Sequence, residues 1–286
     1  MVCEVKVIED SVNTSGVRLI TFQLRYWRAF HSELMTHRVF SRNASSSRAI
    51  PVQVVLDQVR DDPAGPIQFM KNKPGMQSTA ALSPEEEAQA REIWLRAAKR
   101  ASESALELMG LGVHKQFANR LLEPFQYISV VLTSTEWDNW YALRDHVDAM
   151  PEIRELAHTM NLAAEASTPR LLLEGQWHLP YVTYAERGAL PLLKQIQCSA
   201  ARCARVSYLT HDQQEPEVEK DMALYERLIG SIPMHASPIE HQATPESRNP
   251  GSPGFVSMSG NFDPSWVQWR KVLENHQPKA VGDQHA

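Results

Sequence analysis

The sequence predicts an α+β fold, rich in helix and built around a central, mostly antiparallel sheet. Three observations predict it. Two alternating segments, VCEVKVIEDSV and VRLITFQLRYW, stand side by side near the start of the chain. A third strand-like run, YISVVLTS, comes only after a long helical stretch. Elsewhere the apolar residues recur mostly at helical spacing, leaving three to five strands that are not adjacent in the sequence.

Each element has a local reason. In the second strand, Ile20, Phe22 and Leu24 fall on one face. AFHSELMTHR then turns helical and leads into a basic loop. Pro51 opens a short helix over VQVVLDQVRDD. Residues 61–82 read as loop. Ser83 is an N-cap, with Pro84 at the first helical position and Glu85, Glu86 and Glu87 in the first turn, where the helix dipole favours acids. That helix runs to the glycines of GLG. HKQFANRLL is a second helix and YISVVLTS a buried strand. Ser134 or Thr135 caps a helix through TEWDNWYALR, and PEIRELAHTMNLAAEASTPRLLL is another. From 176 to 190 the pattern breaks. PLLKQIQCSAARCARVSY and EKDMALYERLIGSI resume as helices, MHASPIEHQATPESRNPGSPG is a loop, FVSMSG a strand and PSWVQWRKVLENH a helix. Three-residue spacing puts Trp266 and Trp269 on one core-facing side of that last helix. Residues 1–276 read as one domain and 277–286 as a frayed tail.

Composition narrows the function. With 43 % hydrophobic and 22 % charged residues the chain is an ordinary soluble protein. No apolar run has the length of a membrane span, and the first residues lack a signal-peptide pattern, so a cytoplasmic protein is expected. Cys3, Cys198 and Cys203 cannot make a disulfide framework, and Cys198 and Cys203 read as buried small hydrophobes rather than zinc ligands; no metal site is expected. A net charge of −5 argues against a general nucleic-acid binder. A locally basic loop on such a chain points instead to a discrete anionic ligand.

That loop is MTHRVFSRNASSSRAIP, which holds His37, Arg38, Arg42 and Arg48 and no acid. Arginine forks suit phosphate or carboxylate. Ser45, Ser46 and Ser47 with their backbone N–H groups could form an anion nest just ahead of the helix that Pro51 opens. A solvated basic loop whose serines cap that helix is an equal reading of the residue types alone. MHASPIEHQ places two histidines and a glutamate in one short stretch, which by itself reads as a turn. Arg120 and Arg144 sit near helix ends, where arginine often only satisfies the last carbonyls.

Together these segments resemble the flavin-dependent thymidylate synthases. The family pattern R-H-R-x-x-S-x-N-E-x-S-x-R stands here as THRVFSRNASSSR, with His37, Arg38, Ser41, Asn43, Ser46 and Arg48 in register. Thr36 and Ala44 depart from it, where the family has Arg and Glu. MHASPIEH is similar to the family's flavin-contacting G-H-x-S/T-P-F-E-H, and ARVSY to the segment before it. In the family both pieces precede the Arg-His-Arg motif; here they follow it, so the order looks circularly permuted, which is tolerable where termini lie close at the surface. RLLEP resembles R-x-x-L-P with Glu123 for Leu, and Asn139 with Ala142, Leu143 and Arg144 resembles N-x-x-N-L-R.

The resemblance implies reductive methylation of dUMP at C5 to dTMP, with methylenetetrahydrofolate as one-carbon donor and NADPH as reductant through FAD. It implies that Ser46, Ser47, Arg48 and Arg120 hold the nucleotide phosphate, that Arg144 is the catalytic residue facing the pyrimidine, and that Glu33 stands where the family has a nucleotide-contacting Gln. His37, Arg38, Val39, Asn139, His235, Ser237 and Glu240 would contact FAD within a homotetramer. Thr133 and Thr135 stand roughly where the family places flavin-binding Asn and Arg. Two other readings stay open: a pyrimidine C5 hydroxymethylase acting on dUMP or dCMP, and a non-catalytic nucleotide- or flavin-binding subunit.

Overall fold

A computed structural model describes residues 3–75, 80–206, 217–249 and 251–276. The tail expected at 277–286, Ser207 and Tyr208 of ARVSY, and part of the 61–82 loop lie outside them.

β1 (Cys3–Val12) and β2 (Arg18–Trp27) form an antiparallel hairpin, with Cys3 opposite Tyr26 and Val12 opposite Arg18. The Asn13 carboxamide oxygen accepts from the N–H groups of Ser15 and Val17, and Gly16 takes φ +80°, so the turn between the strands is built from local chemistry. A 3-10 turn over Arg28–Phe30 and α1 (His31–Met35) follow, then β3 (Ser41–Ala44), α2 (Val52–Asp61), α3 (Pro84–Gly110) and α4 (Lys115–Ala118). A second 3-10 turn, Asn119–Phe125, leads to β4 (Tyr127–Ser134), α5 (Asp138–Arg144), α6 (Pro151–Ala166) and β5 (Arg170–Leu171). α7 (Tyr184–Ala189), α8 (Leu192–Arg205), α9 (Val218–Ile229), a 3-10 turn over Ser237–Glu240, β6 (Ala243–Pro245), β7 (Trp266–Gln268) and α10 (Trp269–His276) complete the order.

The main sheet has the order β3-β4-β2-β1-β5. Every pairing in it is antiparallel except β1 with β5, so the expected mostly antiparallel sheet is present. Strand alternation divides its two faces. Ile20, Phe22, Leu24 and Tyr26 of β2 join Ile128, Val130 and Leu132 of β4 under α5 and α6. Burying each such side chain contributes roughly 1.5–3 kcal/mol. The opposite face carries Thr21, Val131 and Thr133. It is covered by α8 through Cys203, by Val206, and by His178 and His241. α2, α3 and α4 gather around a separate apolar cluster centred on Leu56, Val59 and Leu122. No helix among the described residues is long and apolar enough to cross a membrane.

Several elements differ from expectation for identifiable reasons. The basic loop contains β3, because Ser41–Ala44 pairs with β4 and buries Ser41 and Asn43. α6 ends at Ala166 rather than continuing to Leu173. Pro169 disfavours helix at the residue before it, and Arg18 takes the free carbonyls of Ala164 and Ser167. Within 176–190 there is a helix after all: Thr183 and Glu186 make a reciprocal capping box for α7. Residues 255–260 form no strand, and the pairing falls to Trp266–Gln268 against β6. Trp266 is thus in β7 and Trp269 opens α10, yet both are core residues. The Ser83 cap of α3 is a full capping box with Glu86.

Candidate active site

The segment 33–48 is positioned by a short helix, a turn, an edge strand and a second turn. Arg42 closes the first turn by donating Nη1–H to the His37 carbonyl at 3.0 Å. Beyond β3, the Ser45 N–H donates to the Ser129 carbonyl at 2.8 Å and the Ser45 hydroxyl accepts from the Ser129 N–H at 3.1 Å. Ser45 therefore extends the sheet edge, and its buried N–H is not part of an anion nest.

α5 brings Arg144 to the first turn. Arg144 donates Nε–H to Nε2 of His37 at 3.2 Å, and its terminal nitrogens lie 3.4 Å from Glu33 Oε2 and 3.5 Å from Thr36 Oγ1. The first contact is well formed, while the outer two are at the limit of hydrogen bonding and leave the end of the fork replaceable. His37 is buried between Phe40, which it stacks on, and the edge of Trp140. Burial and the adjacent Arg144 guanidinium hold its pKa below the ordinary value, so the ring is the neutral acceptor that Arg144 needs.

A cavity of about 260 Å³ opens over this group. His37, Arg38, Val39, Asn139 and Arg144 all line it. Of these, Arg38, Val39 and Asn139 are exposed. A larger cavity of about 770 Å³ lies between residues 66–70 and the start of α6, and none of the expected site residues lines it.

The expected phosphate residues form a second group. The Ser47 hydroxyl donates to Glu123 Oε1 at 2.7 Å, and Arg120 Nη1 donates to both Glu123 oxygens at 3.0 and 3.1 Å. Arg28 completes the cluster, 3.1 Å from Glu123 Oε1. Ser46 is half-buried, while Arg48 is exposed and has no ion-pair partner among the described residues.

The C-terminal loop lies on the other flank of β3, and the 3-10 turn Ser237–Glu240 packs against that strand. Gln268 Nε2 joins the two, donating to Ser41 Oγ at 3.3 Å and to the Glu240 carbonyl at 2.9 Å. His241 Nδ1 lies 2.8 Å from Thr133 Oγ1. Segments from opposite ends of the chain thus meet at one strand. His235 and Ser237 are exposed there, and the Glu240 carboxylate is taken by Arg270. None of these three lines the His37 cavity.

Arg28 and Glu123 were not among the residues expected to form the site. In the sequence Glu123 stands out only as a departure from R-x-x-L-P, and nothing local marks Arg28, which meets it through the fold. Also unforeseen is a buried polar chain from Ser11 through His178, Thr21 and Thr133 to His241, with successive contacts of 2.7–2.9 Å. It commits Thr133 to the interior, and Thr135 Oγ1 accepts from the Asp263 N–H at 2.9 Å. Thr133 is therefore withdrawn from ligand contact, while Thr135 is half-buried.

The donors around the cavity fit an anionic, planar-ring ligand such as a flavin nucleotide: an exposed guanidinium at Arg38 with no ion-pair partner among the described residues, an exposed carboxamide at Asn139 and an apolar surface at Val39. The enclosed volume is below the roughly 300–1,000 Å³ of drug-sized ligand pockets, so this chain alone surrounds only part of such a group. Among the described residues no cluster of His, Cys, Asp or Glu has metal-site geometry.

Comparison with known proteins places these features in a lineage. The model of the family described as thymidylate synthase complementing protein matches residues 17–170, just over half of the chain. That span includes α1, β3, Arg120 and Arg144, and leaves out the loop at 234–241. No curated protein sequence matches. Among solved structures, the UMP/dUMP methylase PolB from Streptomyces cacaoi is similar in its forms bound with 5-Br UMP and with 5-Br dUMP. Both align at 18 % identity and a TM-score of 0.46, covering 56 % of this chain and 88 % and 89 % of theirs.

Proposed function

The chain belongs to the thymidylate synthase complementing protein family, and from that premise we propose that it is a flavin-dependent enzyme that methylates dUMP at C5 to give dTMP. Methylenetetrahydrofolate would supply the carbon and NADPH the reducing equivalents. The observation that carries this reading is Arg144, held on neutral His37 at the mouth of a cavity that Arg38, Val39 and Asn139 also line.

In this reading the His37 contact fixes the Nε edge of Arg144 and leaves its terminal nitrogens to the substrate. A pyrimidine carbonyl replaces the long contacts to Glu33 and Thr36, and the guanidinium stabilises the negative charge that develops on the ring as C5 becomes nucleophilic. Ser46, Ser47, Arg48 and Arg120 hold the phosphate. His37, Arg38, Val39 and Asn139 hold FAD, with His235, Ser237 and Glu240 contributed across protomers of a homotetramer. When bound, the flavin supplies the hydride that reduces the transferred carbon to a methyl group.

The test is to incubate the purified protein with dUMP, methylenetetrahydrofolate and NADPH and to weigh the nucleotide by mass spectrometry. A gain of one methyl group is expected. A hydroxymethyl product would assign the chain to C5 hydroxymethylation instead. An unchanged nucleotide from a colourless protein would make it a binding subunit.

A further inference from the structure

We propose that Glu123 is a built-in anion that occupies the phosphate position beside the 45–48 turn, so that a nucleotide phosphate binds there only by displacing it. The inference rests on the phosphate assignment made above. It concerns a residue that this assignment leaves without a role.

Every donor around Glu123 is of the kind that grips phosphate. The Ser47 hydroxyl, Arg28 and both contacts from Arg120 converge on one carboxylate. Carboxylate and phosphate oxygens compete for the same guanidinium forks and hydroxyls. The surrounding backbone is fixed. Asn119 donates to the carbonyls of Ser47 and Ile50 at 2.6 and 3.0 Å, and Trp27 donates to the Pro124 carbonyl at 2.7 Å. Arg28 Nη1 also lies 3.4 Å from the Ser45 carbonyl, a contact at the limit of hydrogen bonding. The Glu123 side chain remains 23 % exposed, so rotation about its own bonds carries it to solvent without moving the turn.

Charge then decides specificity. With Glu123 in place, a phosphate entering the turn shares Ser47, Arg28 and Arg120 with a like charge, which offsets one of the three guanidinium charges of Arg28, Arg48 and Arg120. Once Glu123 swings out, Arg28, Arg120 and Ser47 are released together. The carboxylate therefore weakens the phosphate contribution to binding and narrows the difference between a nucleotide and its nucleoside.

The experiment compares the full-length wild type with Glu123→Gln and Glu123→Leu, each checked by circular dichroism. Inorganic phosphate, dUMP and deoxyuridine are titrated by calorimetry, and the phosphate-dependent rise in Tm is recorded. Phosphate and dUMP should bind about tenfold more tightly to both variants, while deoxyuridine changes less than about twofold. Phosphate should also raise the Tm of the variants more than that of the wild type. Unchanged or weaker phosphate binding by a folded variant overturns the proposal, because a purely structural ion pair would behave that way; the two substitutions guard against one failing to fold. If phosphate tightens but dUMP binds no form, the internal anion stands and the nucleotide reading fails. If dUMP binds but phosphate affinity does not respond, the reverse holds.

Discussion

Arg144 and His37 are joined nitrogen to nitrogen: the arginine Nε–H points at the imidazole Nε2 across 3.2 Å. A protonated imidazole would set two cations against each other, so the ring carries its proton on Nδ1 and accepts at Nε2. The pair is a neutral base orienting a permanent cation. Several consequences can be measured.

Replacing Arg144 by Ala should lower kcat by about 10²–10³-fold, the usual loss when one donor to developing negative charge is removed. Bound flavin should be nearly unchanged, because Arg38 and Asn139 remain. In the same variant the His37 pKa, followed by NMR, should rise as the neighbouring cation disappears. Loss of flavin with Arg144 would move that arginine to the cofactor.

Acid should destabilise the fold through half-buried His31 and buried His178 and His241. Burial, reinforced by the Arg28 and Arg42 charges, lowers His31 to about 4, and burial lowers His241 to about 3. His178 is pushed well down for the same reason. Unfolded, each titrates near 6.5, so between that value and the folded pKa the unfolded state binds more protons. Stability is greatest above pH 6.5, falls progressively below it, and stops falling once pH passes about 4 for His31 and about 3 for His241. Each histidine adds at most about 1.4 kcal/mol per pH unit. Urea unfolding from pH 6.5 downward should show this slope, and His241→Gln should reduce it by one proton. An identical slope in the variant would mean that His241 is not buried as the fold implies.

Glu33→Gln restores the residue type that the resemblance places there. Its carboxylate lies 3.4 Å from Arg144 and both side chains are partly exposed, so the pair contributes only about 0.2–1 kcal/mol. Calorimetry should find dUMP binding tightened by no more than about fivefold. Weaker binding instead would show that Glu33 contacts the base itself.

Arg48→Ala separates binding from stability. Arg48 is exposed and leaves no buried partner behind, so unfolding free energy should stay within about 0.5 kcal/mol of wild type. Phosphate and dUMP affinity should fall about tenfold or more, as expected when a charge-assisted contact is lost. Unaltered affinity would remove Arg48 from the phosphate group.

Asp221→Ala tests the C-terminal layer. Asp221 is fully buried against Arg202 at 2.7 Å and Arg205 at 2.6 Å. Removing it leaves Arg202 with Glu186 and the Tyr181 carbonyl but takes the carboxylate partner from Arg205, and should cost about 3 kcal/mol, read from chemical denaturation. A change below about 1 kcal/mol would mean that the arginines find other partners readily.

Two elements follow directly from local signals. The alternation of Ile20, Phe22 and Leu24 identified β2 and its buried face, and Ser83 with Glu86 marked the start of α3. Thr183 and Glu186 are an equally clear signature for α7, inside a stretch where the apolar pattern breaks. β3 has no such signal, because four residues rich in Ser, Arg and Asn carry no strand propensity, and their pairing with β4 is set by tertiary contact. The motif singles out His37, Arg120 and Arg144 as residue types. It does not give their partners, because Glu123 pairs with Arg28 across some ninety-five positions and Arg144 with His37 across more than a hundred.

By itself the sequence determined the elements with short-range causes and the residue types able to bind an anion: capped helices, alternating strands, and a basic segment within an acidic chain. Only the tertiary structure decided which cations are free and which are already satisfied. Spacing along the chain says nothing of which carboxylate lands beside which guanidinium. At hydrogen-bonding distance, that choice sets both the charge a ligand meets and the donors left to hold it.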